Sequence, residues 1–315
     1  MEIIENGALV DSGGLRLGNA SEQRTGVTIA VIDSGGAAGV DVRGSAPGTR
    51  ETDLLDPTAA VQHANAIVLA GGSAFGLAAA DGAMLELAEQ GKGLDTGMGI
   101  VPIVPAAVIF DLPVTGGAKP TPDLGREAVR TAGENRERGC VGAGTGATVG
   151  KYLGPNGVMK GGLGQAAVRR GDLVVSAAVV VNALGDIFDG DQKIAGTHSA
   201  EGFLPTTEYL GSPVGLTNTT IGIVATNAAL TKAQAKKVAS ASHDGLARSI
   251  RPVHTMDDGD TLFAVSTGTV SAHVNAVCFM AAEAVRLAVL DGVRSATSLP
   301  GIIAVEDLPF SKPSN

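Results

Sequence analysis

From residue 220 onward the hydrophobic pattern becomes regular, and this stretch constrains the fold more than any other. TIGIVAT (220–226) reads as a strand and 231–250 as an amphipathic helix with Thr231 in the N-cap position. TLFAVST (261–267) reads as a second strand, and 271–290 as a helix that stops near Gly292. A β-α-β-α order makes the two strands parallel and sets their starts at one edge of a sheet. Thr219 stands immediately before the first strand, and Asp258 and Asp260 immediately before the second. The pattern therefore predicts that these three residues meet.

Upstream the pattern is less even. GVTIAVI (26–32) reads as a strand, 33–51 as a long loop rich in Gly, Pro and Arg, and 66–70 as a buried strand ending in Gly71-Gly72. Residues 73–90 have helical character and stop at Gly91; 101–110 is an apolar run broken by Pro102 and Pro105; 122–131 is helical. Residues 139–164 are too glycine-rich to assign. Residues 173–182 are almost continuously apolar and β-branched, which predicts a strand buried on both faces. Residues 185–215 are polar, aperiodic and rich in Gly, Asp and Pro, and read as an exposed, mobile linker. The strands after this linker need neighbours, so residues 1–315 are expected to form one α/β domain from two segments.

Composition narrows the function. Aromatics make up 3% of the chain and Trp is absent, so the core must be packed with Ala, Val, Leu and Ile. The 45 glycines are scattered, which excludes a collagen-like or low-complexity chain and points to tight turns and close backbone approaches. A net charge of −9 without a basic stripe is wrong for nucleic-acid binding. Residues 1–11 lack the basic start of a signal peptide, and the apolar runs at 100–109 and 173–181 are too short to span a bilayer, so a soluble, cytoplasmic protein is expected. Cys140 and Cys278 lie far apart and are expected as buried free thiols; a CxxC site is excluded by the count.

Several residues could carry chemistry. A mid-chain Thr hydroxyl is a weak nucleophile, but breaking the peptide bond before it frees an α-amine of pKa roughly 7.7–8.0 that can serve as its base. Asn218-Thr219-Thr220, with a linker before and a strand after, suits such a cut, although the tripeptide alone favours a strand-edge Thr pair. Asp257-Asp258-Gly259-Asp260 could hold a nucleophile's ammonium and hydroxyl, bind a hard cation, or merely cap a strand. GCVGAGTGATVGK (139–151) fails as a phosphate loop in both spacing and the residue after its lysine, leaving Lys151 as a charge able to tune its neighbours or to stabilise an oxyanion. Asn182, at a strand end, is a turn former or an oxyanion-hole donor. The five histidines show no metal-ligand spacing, and Gly72-Ser73-Ala74-Phe75-Gly76 is not a GxSxG elbow.

Taken together, these segments resemble the DmpA-type peptidases, a family of N-terminal-nucleophile amidases that includes β-aminopeptidases and the nylon-oligomer endo-hydrolase. The matching stretches are GSAPGTRETDLLDP (44–57), LAGGSAFGLAAADG (69–82), VPIVPAAVIFDLP (101–113), GAGTGATVGK (142–151), the VVVN strand end, NTTIGIVATN (218–227) and HTMDDGDTLFAVST (254–267). The Asn-Thr-Thr junction and the DGD loop are most similar to the nylon-oligomer hydrolase. The resemblance implies an αββα sandwich of the DmpA/ornithine acetyltransferase type. It also implies autocleavage between Asn218 and Thr219 into chains 1–218 and 219–315, with Thr219 as nucleophile, Lys151 and Asn182 as supporting groups, and Asp258 and Asp260 as its partners. It implies no cofactor or metal, and a homo-oligomer, a tetramer by family likeness. Phe75 departs from the family's usual Tyr and removes a hydroxyl from the substrate and oxyanion vicinity. Peptides, D- or β-amino amides and 6-aminohexanoate oligomers all remain open as substrates. So do acyl transfer of the ornithine acetyltransferase kind and a non-catalytic protein that binds a small anion.

Overall fold

The two expected strands lie side by side and parallel. Thr219–Ala228 pairs with Thr261–Val270, Ile221 standing opposite Thr261. The structure, a computed structural model, describes residues 1–205, 207 and 218–309. It is mixed α/β around one large sheet. From one side, Gly162–Arg170 pairs with Leu173–Asn182, then follow Thr219–Ala228, Thr261–Val270, Thr25–Val42, His63–Ala70 and Ala106–Val108. Leu15–Glu22 adds to the first half of Thr25–Val42.

Alternation along each strand sends neighbouring side chains to different cores. Val175, Ala177, Val179 and Val181 pack with Val224, Leu262 and Ala264 against the helices Lys232–Ser249 and Val274–Arg294. Ala178 and Val180 face the other way, joining Ile221, Ile223, Phe263 and Val265 against Leu17, Ile32, Ile67 and Leu69. Val27, Ile29, Val31 and Val68 form a third core with the helices Ala78–Glu89 and Pro122–Arg130. All ten residues of Leu173–Asn182 are buried, which is why the sequence there reads as one apolar run.

The helix Lys232–Ser249 starts where the sequence signals. The Thr231 hydroxyl accepts the Gln234 N–H, and the Gln234 side chain accepts the Thr231 N–H, a reciprocal capping box. The last helix ends near Gly292, as expected, but runs on to Arg294, so the glycine itself is not the stop. Gly292 serves packing instead: a Cβ there would lie 3.0 Å from both the Gly162 oxygen and the Gly164 nitrogen, so its absence lets helix and strand backbones approach.

Three further expectations are corrected. Half of the stretch expected as a loop at 33–51 is strand, because Thr25–Val42 continues through a register shift between Val31 and Gly36 and pairs onward with Thr261–Val270. Residues 73–90 begin with a 3-10 turn, Ser73–Leu77, before the α-helix. The front of the segment expected as a linker at 185–215 carries a hairpin, Asp186–Asp189 with Gln192–Ala195, that pairs onto Ile250–Arg251; its Asp186 is buried and bonded to Lys193 and the Thr197 N–H. Within that segment, residues 206 and 208–215 lie outside the described residues. Cys140 and Cys278 are free, as expected, but half-buried. Among the described residues no helix is long and apolar enough to cross a membrane.

Candidate active site

Sheet register brings the residues of interest to one edge. Thr219, the first residue of its strand, stands opposite Asn182, the last residue of its own. Asp260 immediately precedes the parallel neighbour, and Asn218 bridges to Asp258. Asn182, Asn218, Thr219, Lys151, Asp258 and Asp260 are all buried. The parallel order read from the sequence thus produces the meeting it predicts.

The Asn218–Thr219 junction is held by the acidic loop. The Asn218 carbonyl oxygen accepts the Gly259 N–H at 3.0 Å, and the Thr219 hydroxyl donates to the same oxygen. The loop is pinned from outside: the Arg43 and Gly44 N–H groups donate to the Asp260 carbonyl at 3.0 and 3.2 Å, and the Ala46 N–H to the Asp258 carbonyl at 2.9 Å.

Lys151 enters from the glycine-rich stretch. Its Nζ donates to the Asn182 carbonyl at 3.0 Å and to Asn182 Oδ1 at 2.9 Å. Asn182 Oδ1 also accepts the Thr148 N–H, and Nδ2 donates to the Phe110 carbonyl at 3.2 Å, so the amide orientation is fixed on both sides. Burial pushes Lys151 down to about 7, against the pull of the Asp258 and Asp111 carboxylates.

The two acids are held differently. Asp260 Oδ1 accepts the Thr220 N–H at 2.7 Å, while Oδ2 accepts the His254 N–H at 3.2 Å and lies 2.8 Å from His254 Nδ1. Asp258 Oδ2 accepts the Thr255 N–H at 2.8 Å and the Thr255 hydroxyl at 2.6 Å. Burial, reinforced by the Asp260 charge, pushes Asp258 up to about 6 despite the Thr255 bonds. A lysine shifted down and a carboxyl shifted up toward neutrality, beside a buried hydroxyl, form a set that can take up and return protons near pH 7.

Phe75 stands apart. It is 58% exposed on the 3-10 turn, with Lys119 Nζ 3.7 Å above its ring centroid. Its link to the cluster runs through backbone: the Ser73 N–H donates to Ile109, and the next carbonyl, Phe110, takes Asn182. Sequence reasoning gave no part to His254 and Thr255, and none to the Gly259 N–H in particular, although all three sit in the HTMDDGD stretch it singled out. It also passed over a buried support. Lys160 is fully buried and donates to the Thr145 and Ala147 carbonyls at 3.0 and 2.7 Å, and Asp111 accepts the Gly72 N–H and the Thr25 hydroxyl. Burial pushes Lys160 down to about 8 and raises Asp111.

Comparison with known proteins gives a consistent result. The family model for peptidase family S58 matches residues 7–305. An uncharacterized aminopeptidase of Mycobacterium tuberculosis is 41% identical, the alignment covering 96% of this chain and 97% of the relative. The 6-aminohexanoate-oligomer endohydrolase of Kocuria sp. is 34% identical over 82% of this chain and 74% of its own. Among solved structures, the L-aminopeptidase D-Ala-esterase/amidase of Ochrobactrum anthropi, described as a variant of the Ntn hydrolase fold, superposes with a TM-score of 0.71 at 17% identity, over 95% of this chain and 91% of that one.

Proposed function

The chain belongs to peptidase family S58, and from that premise we propose that this hydrolase cuts itself between Asn218 and Thr219 and then works through the N-terminal threonine so released. Amide hydrolysis is what the family and the named relatives share. The self-processing step rests on one observation. The Thr219 hydroxyl and the Gly259 N–H both point at the Asn218 carbonyl oxygen, so nucleophile and oxyanion donor converge on one carbonyl.

In this reading Thr219 Oγ1 bonds to the Asn218 carbonyl carbon and gives up its proton. The Thr219 nitrogen takes a proton and leaves, and an ester replaces the peptide bond. Water then splits the ester into an Asn218 carboxylate and a free Thr219 hydroxyl. Lys151 and Asp258, shifted toward neutrality, are suited to carry the protons. In turnover the same Oγ1 attacks a substrate amide while the freed Thr219 amine takes its proton, the amide C–N bond breaks as that proton passes to the leaving amine, and water hydrolyses the acyl-enzyme to a carboxylate and a free hydroxyl. Gly259 supplies the oxyanion donor. Asn182, whose oxygens hold Lys151, has the part of fixing that lysine rather than meeting the oxyanion.

The three cores, each enclosed by helix and sheet or by sheet and sheet, fit four layers in the order αββα. The substrate class taken from the named relatives is peptide-like amides and 6-aminohexanoate oligomers. Intact-mass measurement tests the first step: wild type should yield 1–218 and 219–315, and Thr219→Ala should stay whole. A wild-type chain that keeps its full mass on prolonged incubation overturns the reading. Assays of the purified protein on amino-acid amides and on a 6-aminohexanoate oligomer test the second.

A further inference from the structure

Behind Asp260 stand two histidines that the mechanism above does not use. His243 lies on the helix Lys232–Ser249 and is fully buried, with Nε2 3.0 Å from the Asp41 carbonyl oxygen. His254 lies in the loop, with Nδ1 2.8 Å from Asp260 Oδ2. The ring centroids are 4.8 Å apart, edge to face at 65°. His243 Nδ1 and His254 Nε2 are buried and meet no protein hydrogen-bond partner among the described residues.

The partners dictate where the ring protons sit. A peptide carbonyl only accepts, so His243 must carry its proton on Nε2. Both Asp260 oxygens already accept backbone N–H groups, from Thr220 and His254, which marks a carboxylate, so His254 must carry its proton on Nδ1. His254 also holds a backbone φ of +57°, a region costly for a side chain of its size, and aims its main-chain N–H and its ring N–H at the same oxygen. We infer that His243 and His254 are a positioning pair for Asp260, locked in opposite tautomers, His243 in the Nε2–H form and His254 in the Nδ1–H form. The packed ring of His243 fixes the plane of His254; His254 fixes Asp260; Asp260 fixes the Thr220 N–H, the peptide next to the nucleophile. The charged and titratable groups around the pair are Asp41 on the strand beside His243 and Arg43 just past that strand's end, and Asp258 and Asp260 on the loop, with Lys151 beyond Asp258.

The inference rests on the function proposed above, and its test has two arms. In the first, nitrogen-15 spectra of histidine side chains are recorded on Thr219→Ala, an uncut chain, with His243→Gln and His254→Asn to assign the signals. Opposite tautomers are expected. The same tautomer in both rings, or a proton on His254 Nε2, overturns the pair. In the second arm, His254→Leu should lower kcat on an amide substrate by about 10²-fold with KM little changed, the scale of a small misplacement of reacting groups. It should also move the acid limb of the pH–rate profile upward, because an Asp260 charge stripped of its donor weighs more on Asp258. His254→Asn keeps an N–H toward Oδ2 and tolerates positive φ, so it should restore most of the rate and the limb. Wild-type rate and limb in His254→Leu, or no rescue by Asn, sinks the pair while leaving the Thr219 reading intact. A wild-type chain that never cuts itself sinks that reading, and the tautomers in the uncut chain still decide the pair.

Discussion

Gly259 packs so closely against Thr219 that a Cβ on it would lie 2.8 Å from the Thr219 hydroxyl oxygen, and 2.7 Å from the Ala46 carbonyl on the other side. Real Cβ atoms do not approach that near, so any side chain at 259 must displace either Thr219 or the loop that carries Asp258 and Asp260. Gly259→Ala is expected to fold at an overpacking cost of about 1–3 kcal/mol. It should slow self-cleavage by about 10²-fold, because the N–H leaves the Asn218 carbonyl. A time course by intact mass reads the rate, and cleavage as fast as wild type would contradict the assignment of Gly259.

The burial of Asp258 comes at the expense of stability. Its carboxyl titrates at about 6 in the fold against the usual 3.8 of a solvated aspartate, so between those values the folded chain binds more protons than the unfolded one. Stability then falls as pH rises from about 4 to 6, by on the order of 2–3 kcal/mol in all. Asp258→Asn can still accept the Thr255 N–H and removes the buried charge. Its melting temperature at pH 7 should exceed that of wild type and lose the slope between pH 4 and 6, while amide hydrolysis falls.

Under the proposed self-cleavage, Lys151 and Asp258 should set the acid side of the rate profile together. As pH drops through about 7 and then 6, Lys151 and then Asp258 take up protons, and the rate of self-cleavage should fall. The two apparent values belong to the interacting pair. In Lys151→Met the ammonium that holds Asp258 down is gone, so any residual rate should show an acid limb above the wild-type one. A limb that moves to lower pH would reverse the sign of the coupling.

Lys160 gives a structural counterpart. Its buried ammonium satisfies the Thr145 and Ala147 carbonyls, and Ala147 keeps the Gly161 N–H if the lysine is lost. Lys160→Met should therefore cost about 1–3 kcal/mol, the effect of one unsatisfied buried carbonyl and a lost charged bond. Its folded value of about 8 lies below the usual 10.5, so the unfolded chain binds more protons between them and wild-type stability rises with pH there. Denaturant melts at pH 8 and 10 should show a smaller rise in the variant.

Much of the site was legible because it depends on strand order. Two strand starts with a capped helix between them were enough to bring Thr219 to Asp258 and Asp260, and Thr231 announced the helix through its own cap. The missed features all depend on distant packing. Asp33-Ser34-Gly35-Gly36 looks like a loop locally, yet it is where Thr25–Val42 shifts register and continues into pairing with Thr261–Val270. Gly292 looks like a helix stop, but Gly162 and Gly164 need its missing Cβ. His254 has no spacing signature, because the ring it meets, His243, arrives on a separate helix.

The sheet order has one more consequence. Thr219–Ala228 lies between Leu173–Asn182 on one side and Thr261–Val270 on the other, and Thr261–Val270 in turn lies against Thr25–Val42. A break before Thr219 would thus leave two polypeptides woven through one another, each flanking the other's strands in a single sheet. Such pieces cannot part on dilution without tearing central ladders. The processed protein should melt in one transition, both pieces unfolding together, at a temperature that rises with its concentration because unfolding sets two separate chains free.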